Sequence, residues 1–414
     1  MLYITLLQVL VLSAFVGRSH SQSAPQRACI DDASCSLNGI CESGVCKCDP
    51  GWKGSDCGVL DLRPALRNSG YNHTAEQTSS WGASIVRDPK DSNLHHMFFS
   101  YFEHHCPLKS WMPFSTIAHA TSRTGPAGPY ESPVQVIGTF AHNPTVIWSP
   151  YDKHYLLYHI GCPQPMPDVC GPVKFKCGVP DGQSGITVHS SPDLANWKSH
   201  GIVFNGTTDK TRWDKTATNP SAWPMYSKDN KTPGIILVYR GNNQNETNFS
   251  SGNIAVSPTG MDGPYTRIQK DPLMMYRYED PFIWQDKRGN YHMLVHSQRD
   301  TGAGGLAGVK SVGRHAYARN YKGPWTYGYD VSLAYSALVN FTDGTSINYS
   351  RRERPQLLFS DDENMTPQFL ANGVQEVGTN MSYTIVSPIG DAGVKLQGGV
   401  PQSSCSIPNS KISV

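Results

Sequence analysis

Beyond its first residues the sequence has no long apolar run, it has no excess of either charge, and it contains neither HExxH nor GxSxG. Each absence removes a class of function. After Val16 nothing approaches the eighteen or more apolar residues of a membrane helix, so no span is expected. The 35 basic and 33 acidic residues are scattered without a run of one sign, which argues against nucleic acid or an anionic membrane surface as partner. Without the two-histidine helix motif or the nucleophile elbow, zinc-protease and serine-hydrolase chemistries have no carrier. The glycines of GAGGLA at 302–307 lack a surrounding strand–turn–helix unit, so they do not imply a dinucleotide site. The neighbouring histidines at 95–96 and 104–105 point to opposite faces of an alternating strand and do not form a metal cluster with Cys106. No cofactor and no metal are predicted.

What is present begins with MLYITLLQVLVLSAFVGRSHSQS, whose apolar run from Leu2 to Val16 is short and leads into small polar residues. It predicts a secretory signal over 1–21, cleaved near Ser21, and hence a secreted, extracellular protein. Nine Asn-x-Ser/Thr sequons agree with that route: Asn72, Asn205, Asn230, Asn245, Asn248, Asn340, Asn348, Asn364 and Asn380. A glycoprotein is expected.

Six of the eleven cysteines lie between Cys29 and Cys57. So short a segment cannot bury enough apolar surface to fold alone, and in an oxidising compartment disulfides supply the deficit. Spacing alone leaves fifteen connectivities open. The pattern, with Cys46-x-Cys48, a further gap to Cys57 and Gly51-Trp52-x-Gly54 inside it, resembles the epidermal growth factor-like module, here over 25–58. The resemblance implies pairing of Cys29 with Cys41, Cys35 with Cys46 and Cys48 with Cys57. The calcium-binding version carries acids before its first cysteine where this chain has SAPQRA, so calcium is not expected. The remaining five cysteines, Cys106, Cys162, Cys170, Cys177 and Cys405, are odd in number. CPQPMPDVCGPVKFKC reads as a disulfide-tied loop, the pairs stay unassigned, and one thiol is left over.

Residues 59–414 repeat. SWGASIVR (80–87), AHNPTVIW (141–148), ATNPSAWP (217–224), YEDPFIWQ (278–285) and RERPQLLF (352–359) align on Ala83, Pro144, Pro220, Pro281 and Pro355, which are 61, 76, 61 and 74 residues apart. Each copy leads through a turn into an apolar, aromatic second strand and then a third such as STIAHATS or GRHAYARN, and three copies end in GPY or GPW. Proline in a sheet is confined to edges and strand starts, and the innermost strand of a propeller blade is an edge. The repeat therefore predicts an all-β fold, a five-bladed β-propeller of four-stranded blades. The residues before the prolines would then ring one mouth of the channel: Trp81 and Gly82, His142 and Asn143, Thr218 and Asn219, Glu279 and Asp280, Glu353 and Arg354.

These inner strands and turns resemble the five-bladed furanosidase propellers, nearest to glycoside hydrolase family 43 and its secreted relatives, over roughly 75–390. The resemblance implies hydrolysis of furanosides or xylosides with inversion, by a glutamate acid and two aspartates. Glu279 stands at the position of the general acid, with Asp280 and Glu353 near enough to raise its pKa by like-charge repulsion. The aspartates of the first and third blades are replaced by Gly82 and Asn219, which leaves Asp280 or Glu353 as the carboxylate partner and Asp88 or Asp300 as lesser choices. Candidate sugar contacts are Trp81, His142, Asn143, Asn219, Arg240, His296, His315 and Arg354. The expected function is a secreted glycoside hydrolase-like protein acting on or binding furanosyl or related sugars of extracellular glycans. The alternative is a catalytically inactive carbohydrate-binding or extracellular-matrix protein, of a mineral matrix for example, with matrix proteins as partners.

Overall fold

The computed structural model describes residues 28–171, 177, 185–225, 234–243, 249–298, 313–327 and 333–398. The expected signal segment, the sequons at Asn230, Asn245 and Asn248, Asp300, GAGGLA and Cys405 lie outside them. No helix among the described residues is long and apolar enough to cross a membrane.

The small module is held by the pairing that the resemblance to the epidermal growth factor-like module implied. Disulfides join Cys29 to Cys41, Cys35 to Cys46 and Cys48 to Cys57. A hairpin of β1 (Gly39–Glu42) and β2 (Val45–Cys48) turns at Ser43 and Gly44, both at positive φ. A second short pair, β3 (Trp52–Lys53) and β4 (Val59–Leu60), brings the chain to the propeller.

Blade one comprises β5 (Ser80–Arg87), β6 (His95–Phe102), β7 (Ser115–Ser122) and β8 (Glu131–Ile137). Blade two comprises β9 (His142–Ser149), β10 (His154–Ile160), β11 (Gly185–Ser191) and β12 (Lys198–Asn205). In blade three, β13 (Thr218–Met225), β14 (Gly234–Asn243) and β15 (Phe249–Ser257) carry a short outer strand, β16 (Thr266–Arg267). Blade four follows with β17 (Tyr278–Gln285), β18 (Tyr291–Ser297), β19 (Gly313–Ala318) and β20 (Leu333–Tyr335). A hairpin of β21 (Leu338–Asn340) and β22 (Ser346–Asn348) leads to blade five: β23 (Arg351–Phe359), β24 (Pro367–Gln375) and β25 (Tyr383–Pro388). Every blade is antiparallel and runs outward in chain order, so all five repeated segments become innermost strands.

Blade five departs from the four-strand expectation. Its outer edge is met by the segment that precedes blade one: Tyr71 and Thr384 exchange two backbone hydrogen bonds, N to O, of 3.0 and 3.1 Å. Arg63 N donates to Pro388 O at 2.9 Å in the same seam. The two ends of the repeat array are thereby joined, and no blade edge is left open at the closure.

Burial follows the same geometry. Apolar residues of adjacent blades meet in separate clusters, for example Leu156, Tyr158 and Val188 of blade two with Leu237 and Ala255 of blade three. The cluster between blades four and five is shared with the small module: Trp52 and Leu60 join Trp284, Leu294, Leu357 and Leu370. Trp52 stacks on Trp284, with ring centroids 6.4 Å apart and planes 17° apart. Arg288 pairs with Asp49 across the same seam, and the Tyr317 hydroxyl donates to Ala33 O at 2.9 Å. The module is part of the propeller's packing, not a tethered spacer. Truncating a buried tryptophan costs about 3–5 kcal/mol. Trp52→Ala is therefore expected to lower the melting temperature of the whole chain in calorimetry, whereas an unchanged propeller transition would show that the module is independent.

Candidate active site

The residue before each repeat proline, or before Ala83, has a left-handed backbone: Gly82 at φ 57°, Asn143 at 57°, Asn219 at 50°, Asp280 at 55° and Arg354 at 55°. In all five blades the pairing register of the inner strand slips there, between Trp81 and Ser84, His142 and Thr145, Thr218 and Ser221, Glu279 and Phe282, and Glu353 and Gln356. A bulge of this kind re-aims one side chain, here toward the axis. Glycine, asparagine and aspartate tolerate that conformation. Arg354 does not do so readily, and its bonds hold it there.

Those bonds close the channel. Asp280 Oδ1 accepts from Asn219 Nδ2 at 2.6 Å, and its Oδ2 accepts from the Arg354 backbone N–H at 3.3 Å. Arg354 Nη1 lies 3.5 Å from Asp280 Oδ1, and Nη2 donates to Asn143 O at 3.2 Å. Asn143 Nδ2 donates to Asn219 Oδ1 at 3.3 Å. A methyl group on Gly82 would come within 3.0 Å of Arg354 Cβ, so the missing side chain of blade one is the space that the arginine uses. Asp280 and Arg354 are 3% and 2% exposed. Asp280 is thus bound at both oxygens at the base of the funnel, which it also lines, whereas Arg354 lies beneath the funnel and does not line it.

Above the plug opens a funnel of about 540 Å³. Glu279, the neighbour of Asp280 on β17, faces into it with Oε2 3.4 Å from Arg240 Nε and Oε1 3.3 Å from His296 Nδ1. His296 is the β18 residue paired with Glu279 in register, and its Nε2 lies 3.8 Å from Glu353 Oε1. Arg351 Nη1 approaches Glu353 Oε1 at 3.2 Å. One buried imidazole thus stands between two glutamates from neighbouring blades.

The electrostatics differs from the sequence-based expectation. Burial favours protonation of Glu279, but Arg240 and His296 outweigh it and hold the carboxyl well below its ordinary value. Like-charge repulsion from Asp280 and Glu353 does not prevail, so Glu279 is an ionised carboxylate. Burial raises Glu353 despite His296, and it raises Asp280 despite Arg354. Burial alone would discharge His296, yet Glu353 and Glu279 bring it up to about 9, which makes it an imidazolium at neutral pH.

Glu279, Asp280, His296 and Glu353 each offer a donor atom within 4.8 Å of the others, a spacing that could hold a cation. The surrounding charge argues against that occupant. Arg240, Arg351 and Arg354 already lie against the three carboxylates, and His296 adds a fourth positive group. A divalent ion would bring further positive charge to a cluster that has its counter-ions.

Of the other expected contacts, Trp81, His142, Asn143, Asn219 and Arg240 line the funnel. His142 is buried, its Nδ1 lies 2.8 Å from Ser115 Oγ, and burial and Arg354 keep it well below its ordinary value, hence neutral. His315 is elsewhere. Its Nε2 lies 3.0 Å from His292 Nδ1 on blade four, and its ring packs 4.9 Å from Trp52 of the small module, so it is an interface residue. Asp88 lies beyond the far end of β5, bonded to His96 at 3.0 Å.

One wall was not foreseen. Leu108, Lys109 and Trp111 come from the link between β6 and β7, and Gln375, Thr379 and Asn380 from the end of β24 and the turn after it. Leu108 N donates to Asn380 O at 3.2 Å, which joins these two segments. A disulfide from Cys106 to Cys170 secures the link, and Cys162 pairs with Cys177. The odd cysteine spacing was the available signal, but spacing does not name partners. Asn380, a sequon residue, stands exposed on the rim.

The raised His296 gives a signed prediction. Its folded-state value of about 9 exceeds its ordinary 6.5, so protonation stabilises the fold fully below about pH 6.5, and that contribution is lost as pH rises through about 9. The melting temperature of the wild type is expected to fall across this window more steeply than that of His296→Gln, and parallel curves would show that His296 is not held as a cation.

Residues 32–59 match the family model of a teneurin-like EGF domain. In fold the chain is similar to the catalytic domain of the Coprinopsis cinerea GH62 α-L-arabinofuranosidase, with TM-score 0.52, 11% identity, and coverage of 82% of this chain and 98% of that one. It is similar also to a structure described as a glycoside hydrolase, with TM-score 0.52, 11% identity, and coverage of 80% and 92%. A protein of unknown function from Dyadobacter fermentans has TM-score 0.50, 13% identity, and coverage of 80% and 99%. No curated protein matches the chain in sequence. The chain is a five-bladed propeller, similar in fold to glycoside hydrolases, behind an EGF-like module.

Proposed function

We propose that the funnel is the sugar site of a secreted glycoside hydrolase-like protein acting on furanosyl or related units of extracellular glycans, with Glu353 as proton donor and Glu279 as the ionised carboxylate. The observation that carries this reading is that two glutamates flanking one imidazolium are driven in opposite directions by their surroundings. Glycoside cleavage needs that asymmetry: one acid protonates the leaving oxygen while a carboxylate meets the developing positive charge at the sugar carbon. Arg240 keeps Glu279 ionised, and His296 with Arg351 stabilises the carboxylate that Glu353 becomes on giving up its proton.

The roles are therefore reversed relative to those implied by the resemblance. Trp111, half-buried on the funnel wall, offers aromatic surface for a sugar face, and the fold likeness to an arabinofuranosidase supports the class of substrate. A second reading, a catalytically inactive glycan-binding or matrix protein, is favoured by Gly82 and Asn219, which stand where the resemblance implies aspartates.

The test is release of sugar from 4-nitrophenyl furanosides and pyranosides and from arabinan oligosaccharides by the purified full-length protein. Wild type should turn over at least one substrate, and Glu353→Gln and Glu279→Gln should each lose about 10²–10⁴-fold. The Glu353→Gln loss should be greater on the oligosaccharide, whose alcohol leaving group needs the proton more. An inert wild type that still binds glycans would favour the second reading.

A further inference from the structure

The funnel carries more positive charge than its carboxylates require. Five basic groups, Lys109, Arg240, Arg351, Arg354 and His296, stand in or directly against it, facing three acids, Glu279, Asp280 and Glu353. The pairing is also spatially uneven. Arg354 and His296 are buried at the floor, where they are used by Asp280 and by the two glutamates. The surplus stands higher. Arg240 spends Nε on Ser250 Oγ at 2.6 Å and on Glu279, while its terminal amino groups have no partner among the described residues. Arg351 gives Nη1 to Glu353, yet half of its side chain is exposed, at 52%. Lys109 is exposed on the wall formed by the β6–β7 link, which is joined to blade five through Leu108 and Asn380, and has no ion-pair partner among the described residues.

Lys109 is not a loose surface lysine at random. It sits in the short turn Leu108–Ser110, three residues from the disulfide of Cys106 with Cys170 and beside the Leu108–Asn380 backbone bond. A neutral sugar would leave these cations solvated at the rim with nothing to recognise. A carboxylate or sulfate held by Lys109 and Arg351, which line the same funnel on adjoining segments, would gain charge-assisted hydrogen bonds from both, in a concave site where field lines concentrate.

We propose that the ligand of this funnel is an acidic glycan, one whose sugar unit at the rim bears a carboxylate or a sulfate held by Lys109 and Arg351, above a unit that meets Glu279 and Glu353. The inference rests on the sugar-site reading given above and names its substrate class.

Binding to the full-length protein would be measured by calorimetry with four probes: a hyaluronan tetrasaccharide, which carries carboxylates alone; a chondroitin sulfate tetrasaccharide, which carries both groups; the carboxyl-reduced, neutral hyaluronan tetrasaccharide; and a neutral arabinan tetrasaccharide. At least one acidic probe is expected to bind about tenfold or more tightly than either neutral one, with the advantage shrinking as salt is raised. The two acidic probes distinguish carboxylate from sulfate. Lys109→Ala should erase most of that advantage and Lys109→Glu should reverse it, while neither exposed-site change should alter the melting temperature. Neutral probes binding as tightly as acidic ones would overturn the acidic class and leave the sugar site standing, and an acidic preference that survives Lys109→Glu would overturn the assignment of Lys109 as its anchor. Absence of binding by all four would overturn both readings.

Discussion

The ion pair of Asp280 and Arg354 on the propeller axis is the contact on which the rest of the site depends. Each is contributed by a bulged inner strand, each has a left-handed backbone, and each is almost fully buried. A buried charge without its partner is costly, so the two strands are tied to each other at the one level where they approach the axis. Asn219, Asn143 and Gly82 complete the layer by donating to Asp280, by accepting from Arg354 through the Asn143 carbonyl, and by leaving room. The plug divides the channel, and the funnel above it has a floor.

That floor determines which acid can do chemistry. The bulge of β17 at Asp280 lets neighbouring acids share the channel, Asp280 on the axis and Glu279 in the funnel beside Arg240 and His296. The same constraint on β23 fixes Arg354 below and leaves Glu353 above, against the other nitrogen of His296. One strand pair thus supplies both a structural salt bridge and a pair of glutamates in unlike environments. His296 is charged because it is shared, and it is shared because the register of β17 with β18 sets it opposite Glu279.

The architecture was legible in the sequence because it is periodic. The inner strands SWGASIVR and YEDPFIWQ coincide with β5 and β17, and HHMFFSYF and STIAHATS with β6 and β7. Blade five was less so, because its outer edge is completed by Tyr71, far away in sequence. The ring of residues before the prolines was also readable, since Gly, Asn, Asn and Asp are the types a left-handed position tolerates. Their division of labour was not. That Asp280 is tied by Arg354 while Glu279 faces Arg240 and His296 in the funnel depends on side-chain reach across strands and blades, which no local pattern encodes. His315 was misread for the same reason: a polar residue on a blade strand faces either the funnel or a neighbour, and the neighbour here is the small module. Lys109 and Trp111 lie in an irregular link whose position is set by a disulfide over 64 residues, a distance at which spacing carries no information.

The central claim is that Asp280 and Arg354 act as one unit under the site. A double-mutant cycle with Asp280→Asn, Arg354→Met and the double variant, followed by equilibrium unfolding at neutral pH, tests it most directly. Residues in one buried network couple by about 0.5–3 kcal/mol, and the account predicts a coupling of about 2 kcal/mol, with the double variant markedly less destabilised than the sum of the singles. Additive losses, within about 0.5 kcal/mol, would contradict it and reduce the plug to two unrelated buried residues.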